Sequence, residues 1–253
     1  MAVIETILVA FSMFSALPVP QVTWTEKNMR FALLAFPLVG AVIGGVCWLW
    51  TLLGHALRFT ALMRGAGLCV LPVLLTGGIH LDGYADTCDA LASHAPAEKK
   101  REILKDPHLG AFAVIRLGVY FVVSLAVWTG LPEYRGGAIL CAFCLSRCLS
   151  ALALTVFPLA EGSGLARTFA EASDRSLVRG MLLALTAALS LALVLLGGWS
   201  MVLAAAVVFL RFWMLVRKQF DGLSGDLSGW FLQTVELWMA GALCLAEYLG
   251  KIV

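Results

Sequence analysis

"FALLAFPLVGAVIGGVCWLWTLL", residues 31–53, runs for 23 positions without a charged side chain. About 20 predominantly apolar residues in a helix cross the ~30 Å hydrocarbon layer of a bilayer, so this stretch alone predicts a membrane span. Further apolar runs lie on its C-terminal side at 61–79, 111–130, 137–158, 181–197, 199–216 and 230–249. The 253-residue chain is 61% hydrophobic and 13% charged, whereas a soluble domain carries roughly a quarter charged residues. No run shows the two-residue alternation of a membrane barrel, which leaves helices as the spanning element. The expected fold class is all-α: a polytopic integral membrane helical bundle of about seven transmembrane helices, forming a single domain over 1–253. Residues 3–17 are apolar but shorter and are stopped by "LPVP" (17–20), which predicts a short N-terminal re-entrant or interfacial segment. "GGWS" (197–200) predicts a tight helical hairpin.

Lysine and arginine predict the orientation. The loops 18–30, 80–110, 159–180 and 217–229 carry eleven of them: Lys27, Arg30, Lys99, Lys100, Arg101, Lys105, Arg167, Arg175, Arg179, Arg217 and Lys218. The other side carries four, Arg58, Arg64, Arg135 and Lys251. The bias places the first set, and with it the polar chemistry, in the cytoplasm. No positively charged region precedes the first apolar run, so no cleavable signal peptide is expected. A net charge of +2 gives no footing for nucleic acid; membrane lipid is the expected surrounding. Of seven cysteines, Cys141, Cys144 and Cys148 share a helical spacing, but no histidine lies near them. They read as small packing residues, without disulfides.

"GGIHLDGYADTCDAL" (77–91) is the polar stretch to explain. Asp82, Asp86 and Asp89 stand at i, i+4 and i+7, within about 60° of one another on a helix. Carboxylates on one stripe beside a membrane repel and are costly unless a cation sits among them. A hard divalent ion such as Mg²⁺ suits such oxygens, with substrate phosphates completing its shell. The plain alternative is a solvated helix start balanced by "EKKRE" (98–102). His80 falls about opposite the stripe and reads as a cap or a substrate contact. In "ILKDPHLG" (103–110), Lys105 suits phosphate and Asp106 suits a base or a metal; the alternative is an ordinary connection broken by Pro107.

The second cluster is "DGLSGDLSGWFLQTVEL" (221–237), in which Gly222, Gly225 and Gly229 read as a flexible loop with free backbone N–H groups. Glu236 lies inside an apolar run, where an unpaired acid is expensive. It reads as facing the site beside Asp226; the alternative is a buried pair with Arg147, itself an intramembrane charge in need of a partner or an anionic ligand. Acids for a metal, cations for phosphate and a glycine-rich segment on one face point to metal-assisted transfer of a phosphate-containing group.

"TGGIHLDGYADTCD" (76–89), "ILKDPHLG", and "SGDLSG" (224–229) with Glu236 resemble the cobalamin synthase family, as do "LPVP", "FPLVGAVIG" (36–44) and the Ser146–Arg147 pair. The chain departs from that family's pattern at Ala16, Ala90, Asp221 and Ser228. The resemblance implies an inner-membrane enzyme of bacteria whose active site faces the cytoplasm. It implies attack by a ribose hydroxyl of α-ribazole, or of its 5′-phosphate, on the cobinamide-side phosphorus of adenosylcobinamide-GDP, with release of GMP and Mg²⁺ as cofactor. The expected metal ligands are Asp82, Asp86 and Asp89. Lys105 and Asp106 are the expected catalytic residues, and His80, Arg147, Gly225, Asp226 and Glu236 the expected substrate contacts. A homo-oligomer, or a complex with other corrinoid enzymes, is a possible partner arrangement. A CDP-alcohol phosphotransferase-like lipid enzyme is the nearest alternative, but its alanine–arginine pair is missing after Asp82-Gly83. An ion-coupled transporter would spread its acids over several helices near mid-membrane.

Overall fold

The structure is a computed structural model that describes residues 2–131, 135–160 and 164–250. Twelve α-helices are described: α1 (Ala2–Phe14), α2 (Glu26–Met29), α3 (Ala32–Ala56), α4 (Ala61–Thr76), α5 (Ile79–Ala92), α6 (Ala97–Ile103), α7 (Ala111–Gly130), α8 (Gly136–Val156), α9 (Gly164–Ala172), α10 (Arg175–Leu195), α11 (Trp199–Leu215) and α12 (Gly225–Leu249). A π-helical turn, Val216–Phe220, prolongs α11. Among the described residues the only β pairing is one isolated bridge, Leu159 with Leu223. Six helices are long and apolar enough to cross a membrane: α3, α7, α8, α10, α11 with its π turn, and α12. α4 and α5 together form a seventh candidate, bent by 97°. The chain is a multi-pass helical membrane protein, as its composition predicts.

Local chemistry sets the boundaries. Thr25, Thr60, Asp174 and Ser224 cap α2, α4, α10 and α12 with their side-chain oxygens, each satisfying an N–H that the first turn leaves free. The predicted hairpin at 197–200 is present: α10 ends at Leu195, Gly197 turns with φ +77°, and α11 starts at Trp199. α1 has 13 residues, roughly 20 Å of helix, so it is too short for a hydrophobic layer of ~30 Å. Its last residue, Phe14, packs on Phe36 of α3 at 4.2 Å between ring centroids.

Three expected loops prove to be largely helical. Residues 80–110 hold α5 and α6, 159–180 hold α9 and the start of α10, and α12 begins at Gly225 rather than at 230. All four basic-rich segments still gather at one end of the bundle. Arg30 bonds Asp174 at 2.6 Å, Lys100 bonds Gln219 at 2.6 Å, and the Ala16 N–H donates to Leu75 O at 2.8 Å. At the far end Arg135 joins Glu247 and Leu196 O.

α8 forms the centre. Its most apolar window is 83% buried, against 22% for α7 and 17% for α10, which turn their apolar sides outward. Lipid gives apolar helices no hydrophobic reason to associate, so close packing through small residues does the work. Gly40 and Gly44 of α3 face α8: a Cβ on Gly44 would stand 2.6 Å from Leu140 Cα, and one on Gly40 would meet the Phe143 carbonyl. The seven cysteines are unpaired, and buried Cys148 lies 3.2 Å from Thr186 Oγ1. Gly44→Ala should cost about 1–3 kcal/mol by forcing two backbones apart. Gly45→Ala, where nothing lies within 4 Å, should be neutral or gain up to ~1 kcal/mol of helix propensity. Melting temperatures of the two variants in one detergent check the contrast; equal values would show that the contact does not set the α3–α8 spacing.

Candidate active site

The site starts at two consecutive glycines. Gly77 and Gly78 have φ of +63° and +81°, a left-handed conformation that costs a residue with Cβ roughly 1–2 kcal/mol. They end α4 and turn the chain through 97° into α5. Both ends of α5 stay at the basic end of the bundle: Gly83 lies on Asp226 at the start of α12, and Asp89 lies on Gly110 at the start of α7. α5 therefore runs across that end and does not span.

The α5–α12 crossing is closed by glycine on both sides. A Cβ on Gly83 would stand 2.7 Å from Asp226 Cα, and one on Gly229 would stand 2.8 Å from His80 O. Gly225 and Gly229, expected in a flexible loop, are helical; Gly229 serves as a contact surface instead of a hinge. Ser224 caps this helix through Leu227 N at 3.3 Å.

The crossing brings a fourth carboxylate, Asp226, to the three of α5. Burial, then the charges of Asp82, Asp226 and Asp89, push the Asp86 carboxyl up to about 6. Asp82 and Asp226 line a cavity of about 360 Å³, whereas Asp86 and Asp89 are not part of its lining. Among the described residues no three histidine, cysteine or carboxylate side chains stand close enough together to enclose a metal ion. That donor set still suits Mg²⁺, which keeps several waters and is usually held by one or two carboxylates together with substrate phosphates.

Arg101 and Lys105, at the end of α6 and just after it, supply positive charge to the same cavity. Asp106 does not line it. Its carboxylate accepts the His108 N–H at 2.9 Å and lies 2.7 Å from His108 Nδ1, contacts that hold it below the usual carboxylate range. A local turn thus occupies the residue expected to be catalytic. His80 does line the cavity. It is 6% exposed, its Nε2 has no hydrogen-bond partner, and burial, then the Arg147 guanidinium, push it down to about 3, so the ring is neutral. Phe14, Phe36 and Phe169 stand around it.

Arg147 and Glu236 are not in the cavity. They form an ion pair inside the bundle, 1% and 8% exposed, and Ser146 Oγ joins them by donating to Glu236 Oε1 at 2.8 Å. The site-facing reading of Glu236 and the substrate-contact reading of Arg147 give way to structural pairing. The physical reason is burial on facing helices: each charge is the other's counter-ion. Sequence reasoning missed Arg101, the two serines Ser224 and Ser228, and the aromatic wall. "SGDLSG" carried a signal for the serines. The wall has none, because it comes from α1, α3 and α9.

A multi-pass helical membrane protein with a cavity at one end, lined by carboxylates and cations, is the class that fold and site define. The sequence model of the cobalamin-5-phosphate synthase family matches residues 6–244, and the chain belongs to that family. Among curated proteins it is similar to the adenosylcobinamide-GDP ribazoletransferase of Lachnoclostridium phytofermentans, 40% identical over 96% of this chain and 95% of that one. It also resembles those of Pseudomonas putida, 33% identical over 94% and 98%, and Desulfitobacterium hafniense, 32% identical over 94% and 96%. No solved structure matches.

Glu236→Gln should leave a buried cation unpaired and lower stability by about 3–5 kcal/mol. Replacing both partners, Arg147→Met with Glu236→Leu, should recover most of the loss. Thermal melts of the parent and the two variants check this; a Glu236→Gln protein that melts like the parent would show the pair to be dispensable.

Proposed function

We propose that the chain transfers the adenosylcobinamide-phosphate group of adenosylcobinamide-GDP to α-ribazole, or to its 5′-phosphate, and releases GMP. The observation that carries this reading is the α5–α12 crossing, which brings Asp226 to the aspartates of α5 and sets it with Asp82 in the lining of a cavity that Lys105 and Arg101 also line. The printed names of the relatives, an adenosylcobinamide-GDP ribazoletransferase in each case, support the same donor and acceptor.

In this reaction a ribose hydroxyl oxygen forms a bond to the cobinamide-side phosphorus, the bond from that phosphorus to the GMP oxygen breaks, and the hydroxyl proton leaves. Asp82 or Asp226, the two carboxylates on the cavity, takes the proton. Lys105 and Arg101 balance the diphosphate charge as point charge and planar fork, and the Gly225 N–H at the α12 N-terminus is placed for a phosphate oxygen. Whichever of Asp82 and Asp226 does not take the proton, with Asp86 of the same cluster, would hold Mg²⁺ beside the substrate phosphates. Once bound, that ion would neutralise the diphosphate and the departing GMP.

At about 360 Å³ the cavity is near the small end of ligand sites, roughly 300–1,000 Å³. It fits a nucleoside-sized group, so the corrin ring stays outside. The basic end of the bundle is proposed to face the cytoplasm of a bacterial inner membrane, from the lysine and arginine bias. A lipid-acting phosphotransferase or an ion-coupled transporter would release no GMP from these substrates.

Purified protein given adenosylcobinamide-GDP, α-ribazole and Mg²⁺ should release GMP. Asp82→Asn and Asp226→Asn should each lower kcat by about 10²-fold or more, while Asp106→Asn stays within a few-fold. Full turnover in both cavity variants would remove the carboxylates from the chemistry. For orientation, a cysteine placed at Lys218 in a background lacking the native cysteines should resist an impermeant thiol reagent applied from the periplasm. Modification there would reverse the assignment.

A further inference from the structure

The lining of the cavity sorts by exposure into a more exposed part, the mouth, and a buried part, the interior. Its mouth is polar and partly exposed, with Asp82, Asp226, Lys105 and Arg101. Its interior is aromatic: Phe36 and Phe169 are 2% and 1% exposed, and Phe14 lies 4.2 Å from the first ring and 5.7 Å from the second. His80, centred 5.9 Å from Phe36, completes this wall and brings a buried nitrogen, Nε2, without a hydrogen-bond partner. Buried polar atoms are nearly always paired; this one is closed off and unpaired among the described residues, and because its ring belongs to the cavity lining it points to a partner that arrives with a ligand.

Both substrates carry a planar base, and the wall discriminates between them. Guanine presents several donors and acceptors along its edge. Against the phenylalanines, with His80 and a few serines as the neutral polar side chains of the lining, most of these would lose their water unpaired, at about tenfold in affinity each. The ribazole base is a dimethylbenzimidazole: two fused rings, two methyl groups, and one ring nitrogen left free once the other carries the ribose. Its apolar body suits the phenylalanines, and its single acceptor suits a single imidazole N–H.

We infer, resting on the transferase reading above, that the interior formed by Phe14, Phe36, Phe169 and His80 is the acceptor subsite, where the benzimidazole of α-ribazole packs with its free nitrogen accepting from His80 Nε2. Guanine stays at the mouth with its diphosphate. The placement also orients the acceptor. His80 and Asp82 are two residues apart on α5, about 3 Å along its axis. Their side chains leave α5 on nearly opposite sides, yet both line the cavity, so a nucleoside whose base lies on His80 extends its ribose across the cavity toward the Asp82 carboxylate and the cations. In this arrangement His80 is a specificity-determining contact, and the four-ring wall selects a flat apolar base.

The experiment is equilibrium binding to the purified protein in detergent, without donor nucleotide. The probes are α-ribazole, the indole riboside that lacks the free ring nitrogen, and GDP. The parent protein should bind α-ribazole at least tenfold tighter than the indole analogue. His80→Phe, which keeps a ring and removes the donor, should lose that preference while its GDP affinity stays unchanged. Phe169→Ala should weaken both ribosides equally. If the parent binds the two ribosides alike, or if His80→Phe keeps the preference, the subsite is overturned; the first comparison needs no variant to fold. Turnover on the same preparations separates the two readings. GMP release with no riboside preference sinks the subsite alone, whereas riboside preference without GMP release sinks the transferase reading and leaves an aromatic-nucleoside site.

Discussion

Everything at the functional end of this molecule depends on how closely α5 and α12 approach. The contact is backbone on backbone, Gly83 on Asp226 and Gly229 on His80, and it exists because neither glycine has a Cβ. Separation by even one methyl group would move Asp226 out of the α5 aspartate cluster and His80 out of the cavity wall together. The glycines of "SGDLSG" and "HLDGYAD" are therefore read as a pair. Each is ordinary in its own helix, where it costs about 1 kcal/mol of propensity, and the crossing recovers that through contacts larger residues would forbid.

A second constraint lies deeper. Arg147 and Glu236 pin α8 to α12 through a pair that Ser146 completes. Gly40 of α3 gives the arginine stem its room, since a Cβ there would stand 3.0 Å from Arg147 Cδ. Such a pair need not make the bundle more stable than an apolar packing would. Its effect is on register: α8 and α12 sit where the two charges meet, and α12 carries Asp226 and Gly229 to the cavity. The same α3 glycines that let α8 approach thus bear on the site at the end of the bundle.

How much of this was legible follows from where each signal resides. The run at 31–53 read as a span and is α3, because burial in lipid needs only composition and length. The aspartate register read correctly, because i, i+4, i+7 is internal to one helix. The break at Gly77–Gly78, the helical state of Gly225–Gly229 and the pairing of Glu236 did not. A glycine serves a turn and a close helix contact equally well, and only the partner helix decides between them. Glu236 and Arg147 are 89 residues apart, and neither alone says whether it faces a ligand or its counter-ion. Asp106 meets a still more local partner, the His108 N–H two residues on, which its own spacing did not announce.

The apolar flanks of the bundle bear on where the proposed substrates would lie. α7 and α10 turn most of their surface outward, and exposed residues such as Val122, Leu191 and Leu195 suit acyl chains; no polar ligand gains by lying there. Among the described residues α8 is largely buried, and two voids beside it are no larger than about one water molecule. What is left is the basic end, where α5 lies across the helix termini and leaves one cavity beneath it. In the proposed reaction a donor far larger than that cavity has to meet an acceptor near the size of the cavity. The proposed arrangement, acceptor inside and donor across the mouth, puts carboxylates and cations at the boundary where the new bond would form. Lining the interior with aromatic rings and the mouth with charge follows from that boundary: the acceptor leaves water entirely, while the diphosphate is never taken into the low-dielectric interior, where its charge would be costly.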